Sequence, residues 1–350
     1  MSVRRRPLSC AVGLLALAGV APPARAAFTV DPKLAAAVTH GRRLADDAAR
    51  QLEAGLVTHP DDATARATLL GYYFDRAAAF PQRRLAAVVW MVRHRPADPL
   101  TPAYGAVNPL ADAPAYGAVA AAWDEQTTAH PADTAVLVDA AQFFDNGTDT
   151  DKAQTLLHKA IDVEPKSAAW LVRLAASLER QAARHPDQQA DLCHQALDLR
   201  QSAYKLTPDR PDRFHVLIGM PADAYHGDDL IAAKRMATQL LEAADDFPAD
   251  PAHGEAVHRA NIVLGQVALH TGNNDRAEGY LAAAAKVTAW PTLSATGPDL
   301  SLAQELVAKG ERTPVRDYLA AFEPIWPGGR ERLKRWVATL DAGGTPDWGT

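Results

Sequence analysis

Four proline junctions recur at nearly equal steps in the first half of the chain, and this period constrains the fold more than any other feature. THPDDATA, RHRPADP, AHPADTA and VEPKSAA place prolines at 60, 96, 131 and 165, with spacings of 36, 35 and 34 residues. A fixed step inside a window of roughly 20–50 residues marks stacked repeats, units that bury their apolar faces only against their neighbours. Proline ends the helix before it, and the acidic or hydroxyl residues that follow can cap the next one. Each junction therefore reads as one helix stopping and another starting.

The unit from Pro131 to Pro165 carries small or apolar residues at Leu137, Ala140, Ala141, Phe144, Ala153, Leu157 and Ala160. These are the places of the W-x2-L-G-x2-Y, A-x3-F and final-proline signature, so the unit resembles a tetratricopeptide repeat, although it lacks the tryptophan and glycine. A second unit, ANIVLGQVALHTGNNDRAEGYLAAAAKV, fits more fully: Leu264-Gly265 match the L-G pair, Gly272 falls at the turn, and Ala277, Leu281 and Ala284 take the second-helix positions. Between the two, proline spacing stretches to 43 and then 40 residues, which reads as helix pairs with longer helices or an inserted turn. LLGYYF (69–74), HPADTAVLVDAAQFF (130–144) and ATGPDLSLAQELVAKGERTPVRDYLAAFEPIW (295–326), in this order, resemble an uncharacterised group of exported bacterial repeat proteins. The resemblance implies an all-α fold, a right-handed superhelical solenoid of about six antiparallel helix pairs, and brings no catalytic residue with it.

Along the chain, residues 27–58 read as a helix, and 63–76 with 81–94 as the first pair. The stretch 95–112 holds four prolines and is the longest irregular loop of the array; long loops are often functional. Helices resume at 113–129 and continue in pairs to about 288, AWPTLSATGPD breaks the pattern, two or three helices follow, and residues 343–350 read as a flexible tail. The array spans residues 27–342.

Residues 1–26 have the order of a secretory signal: Arg4, Arg5 and Arg6, an apolar run too short to span a bilayer, and Ala24-Arg25-Ala26 as the cleavage pattern. Cleavage near Ala26 makes the mature chain periplasmic or secreted. It removes four arginines and no acids, taking the formal charge from −6 to −10. That balance excludes nucleic acid and an anionic membrane surface as partners. Cys10 leaves with the signal, so Cys193 has no intramolecular disulfide partner.

Several stretches look like chemistry. DNGTDTD (145–151) suggests a calcium loop, but the positions that should hold glycine and a bidentate acid hold Thr150 and Leu156. Gly147 reads instead as a helix stop, with Asp149 or Thr150 capping the next helix, matching HTGNND and YHGDD. HGEAVH (253–258) sets its histidines five apart, where a zinc helix needs four. His59, His94, His130 and His185 each precede a proline by one or two residues and belong at helix C-termini, where the dipole favours them. No nucleophile elbow, phosphate loop or dinucleotide turn is present, so the chain reads as no enzyme, with no metal or cofactor.

Aromatic residues remain as candidates for binding a partner. Tyr72, Tyr73, Trp90, Tyr104, Tyr116 and Trp123 gather around the irregular loop, and such side chains are enriched in recognition surfaces, although packing between helices is the stronger explanation for most of them. The sequence thus points to an exported helical-repeat scaffold that binds a protein or peptide. The alternatives are a helical-array enzyme or carbohydrate-handling protein with its site in the 95–123 loop region, and an array acting through self-association.

Overall fold

Two of the four junction prolines, Pro60 and Pro131, sit beside acid-capped helix starts. After Pro60, the Asp62 carboxylate accepts the N–H groups of Thr64 and Ala65, both at 3.0 Å; after Pro131, Asp133 accepts from Ala135 at 3.0 Å and Val136 at 3.3 Å. Each satisfies donors that the first helical turn leaves without an internal partner. The computed structural model describes residues 31–147 and 149–348, and all regular elements among them are helices. The signal read at 1–26 lies outside the described residues.

The described residues form two compact units, one of 31–216 with 226–228 and the other of 217–225 with 229–348. The first unit contains α1 (Pro32–Arg42), α2 (Asp46–Thr58), α3 (Ala63–Phe74), α4 (Pro81–His94), α5 (Leu100–Tyr104), α6 (Ala113–Ala129), α7 (Thr134–Asn146), α8 (Thr150–Val163), α9 (Ala168–Arg184) and α10 (Gln189–Leu206). Helix α11 (Arg210–Leu217) reaches the division and α12 (Met220–His226) follows it; then come α13 (Leu230–Asp246), α14 (His253–His270), α15 (Asn274–Ala284), α16 (Leu293–Thr296), α17 (Ser301–Ala308), α18 (Arg312–Phe322) and α19 (Arg330–Asp341).

The boundaries expected at 63–76, 81–94 and 113–129 match α3, α4 and α6 closely. The stretched spacing after Pro165 arises partly from length, since α9 and α10 have 17 and 18 residues. Further on, Pro221 stands near the start of α12 and cannot extend α11, so two short helices replace one. The single helix expected over 27–58 is two helices. Arg43–Ala45 break it, Leu44 is buried at the break, and α1 packs on α3.

The three turns compared in the sequence share one backbone pattern. The cap residue's N–H reaches a carbonyl five residues back: Asp149 to Phe144, Asp229 to Ala224 and Asn273 to Ala268, each at 2.9 Å. Left-handed backbone falls on the residue just before the cap, at Gly272 (φ 79°) and Asp228 (φ 60°). Gly147 lies one position earlier and has φ −82°, so the helix stop is as read, but the glycine serves another purpose. A Cβ at Gly147 would stand 2.3 Å from Cε2 of Tyr116, so the turn is the seat of that ring. The three acids of DNGTDTD also diverge. Asp145 is buried and bonded to Arg180, Asp149 caps α8 through the N–H of Lys152, and Asp151 lies in the first turn of α8.

In the second unit, His258 of α14 is a structural centre. Its Nε2 accepts the N–H of Asp299 at 3.1 Å, which leaves the proton on Nδ1 to be donated to the carbonyl of Ala284 at 3.0 Å. Trp290 stacks on the ring at 5.1 Å, and Tyr318, in contact with the same ring, donates its hydroxyl to the Asp299 carbonyl at 2.5 Å. Burial pushes the His258 pKa down, so the fold holds the imidazole neutral. Stability from this site is complete above the ordinary histidine pKa and falls as the pH drops through about 6.5, because only the unfolded chain gains the proton. His258→Phe orphans both backbone groups and is expected to cost about 2 kcal/mol at pH 8 while removing this acid dependence. Urea unfolding of both proteins at pH 8 and 5.5 checks it, and an unchanged acid dependence in the variant would refute the assignment.

Candidate functional site

Two of the six aromatic candidates sit in the core with their hydroxyls satisfied: Tyr72 donates to Asp46 at 2.8 Å and Tyr73 to Glu53, which Arg83 also binds. Trp123 is buried as well, at 1 % exposure, so half of the candidates offer no surface to a partner. Of the half-buried three, Trp90 is covered by the Arg66 guanidinium at 5.1 Å and stacks on His94 at 4.5 Å. Tyr104 meets Phe74 edge-on at 4.9 Å, and Tyr116 stacks on Phe143 at 5.1 Å with its hydroxyl lacking a partner among the described residues. The structure thus uses these rings mainly to join helices.

The long stretch 95–112 is not irregular throughout. It contains α5, with Leu100, Thr101 and Pro102 buried, and it is tied at several points. Thr101 donates to the carbonyl of Arg95 at 2.7 Å, and Arg84 of α4 donates to that of Ala106 at 2.8 Å. Beside this strap, Asp139 of α7 is 5 % exposed and its Oδ2 has no partner. Burial raises its pKa to about 7; Arg173 pulls it down, and Asp98 and Asp133 push it further up.

A concavity lies in the second unit, on residues the sequence did not single out. Helix α14 lies between α13 and α15 and packs on both, which leaves a groove of about 730 Å³ with α14 as its floor. Helix α13 buries Ala232, Ala233, Met236, Ala237 and Leu240 on one stripe, so its opposite side is left over the groove. Leu264, Val267 and Ala268 make an apolar floor, and the small Ala268 gives it depth. Ile231, 83 % exposed, stands on the α13 wall, and half-buried Tyr280 on the α15 wall.

The groove lining is rich in cations. Lys234 and Arg235 on α13 and Arg276 on α15 line it, against one acid, Glu242. Among the described residues none of the three cations is in an ion pair, whereas Arg42, Arg83, Arg93 and Arg180 all bind carboxylates elsewhere. Arg276 is held by Tyr280, donating to the phenol oxygen at 3.1 and 3.3 Å. The arrangement can grip an extended ligand by apolar contact below and by charge at its walls. The signal in the sequence was DLIAAKRMATQLLEA, where the places three and four residues from Lys234 and Arg235 hold only neutral side chains, Thr238 and Gln239 among them.

No group of three or more His, Cys, Asp or Glu side chains among the described residues is placed to hold a metal ion. Cys193 packs with Ala175, Leu178 and Ala196. No helix among these residues is long and apolar enough to cross a membrane. A scan against models of known protein families returns no match for this chain, and a search of curated proteins returns none either.

Proposed function

We propose that this chain is an exported helical-repeat scaffold that holds an extended segment of a partner protein, and that it has no catalytic activity of its own. The observation that carries the reading is the groove between α13 and α15, with its apolar floor, its exposed Ile231 and three cations without acid partners. The helix pairs α7 with α8, α9 with α10 and α14 with α15 support a tetratricopeptide-like right-handed solenoid of about six pairs. The charged, apolar and small-residue order of residues 1–26 supports a periplasmic or secreted location.

The groove is bordered by α13 and α15 and floored by α14. Mild crosslinking and capture from the exported fraction tests the reading, with the mature chain and its Thr238→Trp variant as baits. Thr238 is exposed on the groove wall, so tryptophan there fills the space and leaves the charge unchanged. A partner retained by the first bait and lost from the second is the expected result. Retention of nothing specific, or equal retention by both, overturns it.

A further inference from the structure

Resting on the scaffold reading, we infer that the groove selects an acidic peptide segment, with an apolar residue over its floor and carboxylates reaching Lys234, Arg235 and Arg276. Complementarity carries the inference. The mature chain read from the sequence has a formal charge of −10, whereas the lining of this groove carries three cations, Lys234, Arg235 and Arg276, and one acid, Glu242. Other side-chain cations are tied into the fold by acids or by backbone carbonyls; Arg84, for example, donates to the carbonyl of Ala106. Arg180 meets Asp145 and Arg200 meets Glu179. In the groove they have no such use: Lys234 and Arg235 are exposed on α13, and Arg276 leans on Tyr280 with its charge unanswered.

Geometry sets the length of the occupant. Helix α15 has 11 residues, about 16 Å, a distance spanned by about five extended residues. Period-two alternation of an extended chain directs one set of side chains to Leu264, Val267 and Ala268 and the other to the walls. A peptide alternating acidic and apolar residues therefore satisfies both. Glu242 is the one acid in the lining, and its repulsion restricts where a ligand carboxylate can sit.

The test uses fluorescein-labelled peptides of about ten residues, one alternating glutamate with leucine and serine and one with every glutamate replaced by glutamine, titrated against the full mature chain by anisotropy. The glutamate peptide is expected to bind about tenfold tighter, and the difference to close between about 50 and about 500 mM salt as the charges are screened. Lys234→Gln with Arg276→Gln is expected to remove the same tenfold. Lys205→Gln with Lys309→Gln, an equal change in net charge at exposed sites outside the groove, is expected to leave binding unchanged. The salt response of the unmodified chain keeps the test valid if a variant folds poorly. Equal binding of the two peptides overturns the acidic selection and leaves the scaffold reading standing. Binding of neither, with a partner still lost from the Thr238→Trp bait, overturns the peptide class alone. Binding of neither, with no partner retained at all, removes both.

Discussion

Gly71→Ala is expected to destabilise the first unit by about 4 kcal/mol, because no atom can be added where α1 and α3 cross. A Cβ at Gly71 would lie 2.1 Å from the carbonyl oxygen of Val38, and one at Gly41 would lie 1.9 Å from that of Thr68. Both obstacles are backbone, which cannot swing aside as a side chain can. The helices must separate by about an ångström, and that opens the packing of Leu34 and Val38, both buried in the same core as Leu70 and Tyr72. Burying each large aliphatic side chain is worth about 1.5–3 kcal/mol, so partial exposure of this set accounts for the size of the effect. Gly55→Ala on α2 is the control: nothing lies within 4 Å of its added Cβ, and better helix propensity should leave the protein unchanged or stabilise it by up to about 1 kcal/mol. Urea unfolding measures both, and hydrogen exchange should show α1 opening first in Gly71→Ala. A loss under about 1 kcal/mol would mean the crossing is looser than described.

The second large effect concerns Asp139, whose buried carboxyl has a pKa near 7 against an ordinary 3.8. The raised value means the fold prefers the neutral acid. Stability from this preference is complete below pH 3.8 and is lost as the pH rises to about 7, where the folded state must ionise the group. At about 1.36 kcal/mol for each pH unit, the whole loss is roughly 4 kcal/mol. Asp139→Asn keeps the shape and cannot ionise, so its stability relative to the native chain should grow by about that amount between pH 4 and pH 8. Arg173 is held to Gln142 by a 3.3 Å hydrogen bond, a contact the substitution leaves in place. Denaturation midpoints across this range decide the matter: parallel curves for the two proteins would show that Asp139 stays ionised throughout. The trend is opposite in sign to that at His258 in the second unit, so the two units should respond oppositely to acid.

Much of this architecture was legible because helix boundaries are local. Prolines at 60, 131 and 165 and the acids after two of them mark starts that the backbone obeys, since proline removes a donor and a short carboxylate supplies a missing acceptor for the first turn. His59, His130 and His185 fall at helix ends for the same local reason, each as the residue just past its helix. The tail was less legible. Residues 343–348 read as frayed, yet Trp336 donates to the carbonyl of Asp347 at 2.7 Å and lies 5.6 Å from Trp348, a contact that sequence proximity alone does not announce.

The candidate site was hardly legible at all. Tyr72, Tyr73 and Trp123 have the chemistry of recognition residues, but whether a ring faces water or a neighbouring helix depends on which helices pack together. Lys234, Arg235 and Arg276 come from two helices with a third between them, so their convergence is not local either. By itself the sequence determined an all-helical chain with turns at measured intervals, because capping and proline act within a few residues. Only the tertiary structure decided that Gly147 is a seat for Tyr116, that His258 is a neutral core pin, and that an apolar groove ringed by unpaired cations lies over α14. The reason is physical: these properties depend on distances between segments far apart in the chain, and burial and charge take their energies from those distances.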